Sequence, residues 1–121
     1  MKAALLVASL VSAVPFLHAH HGLAQFDTTH VVSLQGIVTG FEWINPHAVI
    51  HADMKDDQGK TASWALELGS LAMLSRHGWS RESLKPGDHI TVYGFRAKNG
   101  SAYMSVGRVE LADGKSLPGA P

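Results

Sequence analysis

Val31-Val32-Ser33-Leu34-Gln35-Gly36-Ile37-Val38-Thr39-Gly40-Phe41-Glu42-Trp43, then Ile44-Asn45-Pro46, then His47-Ala48-Val49-Ile50-His51-Ala52-Asp53-Met54, is the stretch on which the fold turns. Its first run is β-branched and aromatic, the composition that suits a pleated, half-buried surface. Val32 and Leu34 share one parity, whereas Ile37, Phe41 and Trp43 share the other, so the apolar face changes phase near Gly36. Such a change at a glycine predicts a bulged or sharply coiled strand. Asn45-Pro46 is turn chemistry. Beyond it the even positions Ala48, Ile50, Ala52 and Met54 are apolar. That predicts a second strand over His47 to Met54, with His47, Val49 and His51 on its opposite face.

Working outward, Lys55 to Lys60, with Asp56, Asp57 and Gly59, reads as a hairpin loop. A third strand follows over Ala62 to Leu68, with Trp64, Leu66 and Leu68 inward. Ser70 is placed to cap a short helix, Leu71 to His77, which Gly78 ends. Lys85-Pro86-Gly87-Asp88 is a strong turn before a fourth strand, His89 to Ala97. Asn99-Gly100 is a type I′-like hairpin signal before a fifth strand, Ala102 to Leu111. Residues 112–121 carry Gly, Ser and Pro and are expected to form a flexible tail. Three strands, a helix and two strands give a mainly β fold: a small five-stranded OB-like barrel with one short helix between strands 3 and 4. Gly36 and Gly40 allow the bending that barrel closure requires. An open five-stranded sheet packed on the helix is the alternative.

Residues 1–19 read as a signal peptide. Lys2 is the positive end, Ala3 to Val14 an uncharged apolar run, Pro15 breaks it, and Leu17-His18-Ala19 offers small-residue cleavage chemistry. A competing cut after Ala13 and an uncleaved anchor are the alternatives. The apolar run is shorter than the roughly 20 residues a membrane-spanning helix needs, so no stable span remains after cleavage. The expected location is the periplasm or the exterior, with residues 20–121 as a single β-barrel domain.

That mature part keeps nine of the ten Lys and Arg residues, all ten acidic residues and seven of the eight histidines, and has no cysteine. Its near-neutral balance argues against a nucleic-acid partner, which needs a basic patch to neutralise phosphates. It does not suggest a membrane-surface role either. Without thiols, stability rests on an ordinary core, and the histidines are the available metal ligands.

Cleavage after Ala19 leaves His20-His21-Gly22 as the new end. An α-amino group and the imidazole of the same first residue can chelate one ion, and a second imidazole then builds the nitrogen-rich set Cu(II) prefers. His21 is a spare donor. Pairing about Asn45-Pro46 sets Gly40 beside His51 and Glu42 beside Val49, and Glu67 reaches the same outer face. His47 and His51, four strand residues and about 13 Å apart, are poor partners for one ion. One of them is expected to join His20, and the other to be hydrogen-bonded to a carboxylate at the rim, with Glu42 or Glu67 as outer-shell support. His30, His77 and His89 have simpler explanations, His77 as a cation at a helix C-terminus.

Trp43 and Trp64 fall on buried parity, so they read as core rather than as a sugar-stacking platform, and Trp79 as a staple for the turn after Gly78. No nucleophile elbow, His-Glu-x-x-His or phosphate-binding loop is present, and paired carboxylates alone do not make an enzyme.

His20-His21-Gly22-Leu23, the Gly36 to Trp43 run, Asn45-Pro46-His47, Trp64 to Gly69 and Leu84 to Asp88 together resemble a family of small exported bacterial proteins classed only as a domain of unknown function. The resemblance covers nearly the whole mature chain and departs at Gly22, where a serine is usual. It implies export and a small β domain and carries no activity. Two readings of function follow: a periplasmic divalent-metal binder with copper favoured, or a metal-free OB-like interaction module that docks a periplasmic protein or an oligosaccharide.

Overall fold

The computed structural model describes residues 22–120; the expected signal peptide, His20 and His21 lie outside them. The strands are β1 (Val32–Glu42), β2 (Val49–Lys55), β3 (Thr61–Glu67), β4 (His89–Arg96), β5 (Tyr103–Leu111) and β6 (Ser116–Pro118), with helix α1 (Leu71–Arg76) between β3 and β4. Each of β1 to β5 begins and ends within two residues of the span expected from sequence.

The sheet runs β3-β2-β1-β4-β5-β6, and β3 pairs in parallel with β5 to close a five-stranded barrel. Closure removes the exposed edges that an open sheet of this size would present. The open-sheet alternative is thereby set aside. The inward residues are those the alternation selects: Ala48, Ile50, Ala52 and Met54 from the β2 segment, and Trp64 and Leu66 from β3. Against them pack Leu34 and Val38 of β1, Ile90 and Val92 of β4, and Met104, Val106 and Val109 of β5.

The register about Asn45-Pro46 is the one expected, with Gly40 opposite His51, Glu42 opposite Val49, and Val49 opposite Glu67. The phase change of β1 lies elsewhere than expected. Val38 faces Ala52 and Gly40 faces His51, so Thr39 is the extra residue of a bulge. Inward parity thus runs Val32, Leu34, Val38 and resumes at Phe41, leaving Ile37 exposed. Gly36 stays in register and has a different reason to be glycine: a Cβ there would collide with the Asp53 carbonyl and Met54. It marks a close backbone approach rather than a bulge.

Ser70 caps α1, its Oγ accepting from Met73 N, and Asn45 Oδ1 accepts from Leu71 N, which ties the β1–β2 turn to the helix. The Lys85-Pro86-Gly87-Asp88 turn is stitched to β1: Gly87 N donates to Val38 O, and Val38 N donates to Asp88 O. At the β4–β5 hairpin only Gly100 has positive φ, so the turn is not type I′. Its N–H donates to Ala97 O, the pattern of a turn followed by a left-handed glycine.

Both ends of the described chain are built into the fold. The tail expected to be flexible from Ala112 forms β6 along β5, with Leu117 buried. Trp79 is the reason: it sits in the core, and its indole N–H donates 2.8 Å to Pro118 O, rather than merely stapling its own turn. Gly119 then bridges two elements, donating to Gly107 O and accepting from Gly69 N. At the other end, a single turn at Leu23–Gln25 delivers Phe26 into full burial. Phe26 pairs with Ala97, flanked by Asp27 N donating to Arg96 O and Lys98 N donating to Gln25 O.

Candidate functional site

The first turn and the end of the chain converge on one cavity of about 210 Å³, bordered by Gly22, Leu23, Phe26, His47, Glu67, Leu68 and Ala120 among others. Its walls are largely apolar, and two titratable side chains face each other across its polar side. His47 arrives at the end of the Asn45-Pro46 turn, immediately before β2. Its Nδ1 lies 3.0 Å from Leu68 O, which accepts from it. The proton is thereby assigned to Nδ1, and the lone pair falls on Nε2, the tautomer of a histidine prepared to ligate through Nε2.

Glu67 ends β3. Its Oε1 is 3.9 Å from His47 Nδ1, and its side chain is 15 % exposed. The Tyr103 phenol donates to Oε2 of the same carboxylate. The parallel pairing of β3 and β5 produces that contact: Tyr103 stands opposite Ala65 and Ser105 opposite Glu67, so the tyrosine lies one diagonal from the glutamate. Among the described residues, His47 is the only ion-pair partner of Glu67. The carboxylate is thus enclosed beside an imidazole, with no Lys or Arg paired to it among the described residues.

The other expected pair is separate. His51 Nε2 is 3.1 Å from Glu42 Oε2, both side chains about half exposed, and neither residue borders the cavity. Glu42 and Glu67 are thus not a carboxylate pair but partners of different histidines. His47 and His51 are likewise not brought to one point. Among the described residues no three His, Cys, Asp or Glu side chains form a ready-made ligand set.

His77 closes the last turn of α1 through Nδ1 and Met73 O, and His30 belongs to a local turn with Asp27 and Thr29. In that turn the Thr29 hydroxyl and N–H hold the Asp27 carboxyl below its ordinary range. Trp64 is core, covered by the Arg96 guanidinium 4.8 Å from its ring centre. Trp43 is half-buried, its ring against Phe41, which also meets Trp79.

Sequence reasoning missed Tyr103, Phe26 and the Leu68 carbonyl. The Phe26 and Tyr103 rings stack at 5.6 Å, so the arm carrying Gly22 and the strand carrying Glu67's partner are packed together. Phe26 is the one large aromatic in its stretch of sequence, a signal that an anchor lies there; what it anchors to has no local signal. No helix among the described residues is long and apolar enough to cross a membrane.

A family model described as a family of unknown function (DUF6152) matches residues 6–105. No curated protein and no solved structure matches the chain.

Proposed function

The chain belongs to this family of unknown function, and from that premise we propose that it is an exported periplasmic protein whose barrel binds a divalent metal ion, copper(II) above others. A leader ending at Ala19 frees His20, whose α-amino group and imidazole chelate the ion. His47 supplies the second imidazole through Nε2, and His21 is a further donor. Glu67 stands on the Nδ1 side of His47, outside the ligand shell, and raises the donor strength of the ring. His51 and Glu42 form a pair of their own.

One observation carries this reading: Gly22, the residue that follows His20-His21, borders the same cavity as His47 and Glu67. The proposed donors His20 and His21 are the two residues joined to Gly22 in the chain. The donor chemistry supports copper(II) over copper(I). Met54, Met73 and Met104 are committed to the core and the chain has no cysteine, so no soft sulfur ligand borders the cavity.

The test compares mature protein beginning at His20 with a version carrying one extra residue before it, each titrated with Cu(II). The expected result is a loss of at least about tenfold in affinity for the extended protein, because the chelating amine is consumed in a peptide bond. Equal affinities overturn the amine ligand. Undiminished binding by His47→Ala removes the barrel from the site.

A further inference from the structure

We infer that the cavity beside His47 binds a small organic ammonium, a primary amine on an apolar body about the size of a benzene ring. This goes beyond the metal reading and does not rest on it, since every group it uses lies within residues 22–120.

Ser105 points to a ligand. In β5 it stands between Met104 and Val106, whose side chains enter the barrel core, so its own side chain belongs to the outer face. It is nevertheless only 9 % exposed, and among the described residues it is the only buried polar side chain. Leu23, Phe26 and Ala120 share the borders of the cavity with it. No group among the described residues hydrogen-bonds its Oγ, and no buried polar atom there is sealed without a partner, so the hydroxyl opens on the cavity.

Glu67 stands directly opposite Ser105 in the parallel β3–β5 pairing. The Tyr103 hydroxyl takes its Oε2. Oε1 has no such donor: His47 Nδ1 is 3.9 Å away and donates to Leu68 O at 3.0 Å instead, which leaves His47 Nε2 as an acceptor. The polar side of the cavity thus offers a carboxylate oxygen, a hydroxyl oxygen and an imidazole nitrogen, with no Lys or Arg on its border. An ammonium has three N–H donors and no acceptor, and the carboxylate supplies its countercharge. Leu23, Phe26 and Leu68 are apolar walls for a hydrocarbon body. At about 210 Å³ the cavity exceeds the roughly 150 Å³ that accommodates benzene, which leaves room for a short link to the amine.

The experiment titrates 2-phenylethylamine, protonated at neutral pH as a lysine amine is, into mature protein in chelator, so that no metal ion contributes. Saturable binding is expected by calorimetry. 2-Phenylethanol, of the same shape without the charge, should bind at least about tenfold more weakly. n-Butylamine, the length of a lysine stem, should also be about tenfold weaker for want of the aryl body. Glu67→Gln should cost the amine about tenfold and Ser105→Ala about threefold, each with its thermal midpoint retained; Glu110→Gln, outside the cavity, should cost nothing. No binding of the amine, equal affinity for amine and alcohol, or undiminished amine binding by Glu67→Gln overturns the inference. Equal affinity for the two amines overturns the small-molecule ligand in favour of a lysine side chain. Each outcome is independent of whether the protein binds copper(II).

Discussion

Glu67 and Glu110 are both strand carboxylates that accept a hydrogen bond from a tyrosine, and they differ in what else surrounds them. Glu110 is paired with the Arg108 guanidinium, which lies 3.8 Å from the centre of the Tyr93 ring and is itself held in its charged form by that carboxylate. Its charge is met on an open face, and nothing remains to attract an ion. Glu67 has the tyrosine but, among the described residues, no arginine or lysine; its neighbour is an imidazole, and the cavity it borders is largely apolar. The hydrogen-bonding pattern is shared, and the electrostatic consequence is opposite. A carboxylate becomes a candidate site when it is enclosed and its countercharge is missing, not when it merely has partners.

The largest effect expected along this divide is from Phe26→Ala. It empties a fully buried position and frees the arm from the Tyr103 ring. Stability should fall by about 3–5 kcal/mol, read by denaturant unfolding, and copper(II) affinity should fall with it. Full affinity in the folded fraction would mean that the arm does not set the site.

Next is the exchange of the two carboxylates. Glu67→Gln keeps an acceptor for Tyr103 and removes the charge, and copper(II) affinity should drop about 10- to 100-fold. Glu110→Gln should leave it unchanged. Equal sensitivity of the two positions would break the comparison. Arg108→Ala sharpens it from the other side: Glu110 then lacks its cation as Glu67 does, yet it stays on an open face. Calorimetric titration should find no second ion, and the unfolding midpoint should move little, because exposed pairs contribute little.

The smallest effect is in acid. The Lys85 ammonium and N–H hold the Asp88 carboxyl below its ordinary value of 3.8. A carboxyl lowered in the folded state stabilises the fold at pH above the unfolded value, and this is lost as pH falls through the lowered one. Asp88→Asn should therefore cost a little stability at neutral pH and nothing once the pH has fallen below the lowered value. An Asp88→Asn chain that loses as much at low pH as at neutral would place the contribution in the turn's shape rather than in the charge.

The reach of sequence reasoning is visible in the same residues. His47, Glu67 and their common outer face followed from period-2 alternation and one short turn, because neighbouring strands joined by a turn inherit their register from it. The separation of His47 from His51 followed from strand rise alone. Tyr103 was hidden, since the step from Glu67 to Tyr103 crosses a helix and a whole strand, and a parallel pairing has no turn to set its register.

While the bulge in β1 and the strand β6 escaped it, the sequence by itself determined the first five strands, the helix cap, the β1–β2–β3 pairing and the core faces of β2 and β3. These depend on contacts only a few residues apart or on the parity of one element. Only the tertiary structure decided that β5 closes on β3, that Trp79 holds the last strand, and that Phe26, Leu23 and Gly22 border the cavity of His47. Barrel closure joins residues far apart in the chain, and the side chains that meet there are ordinary in type. Their partners are fixed by the geometry of the closed sheet and by no pattern within either segment.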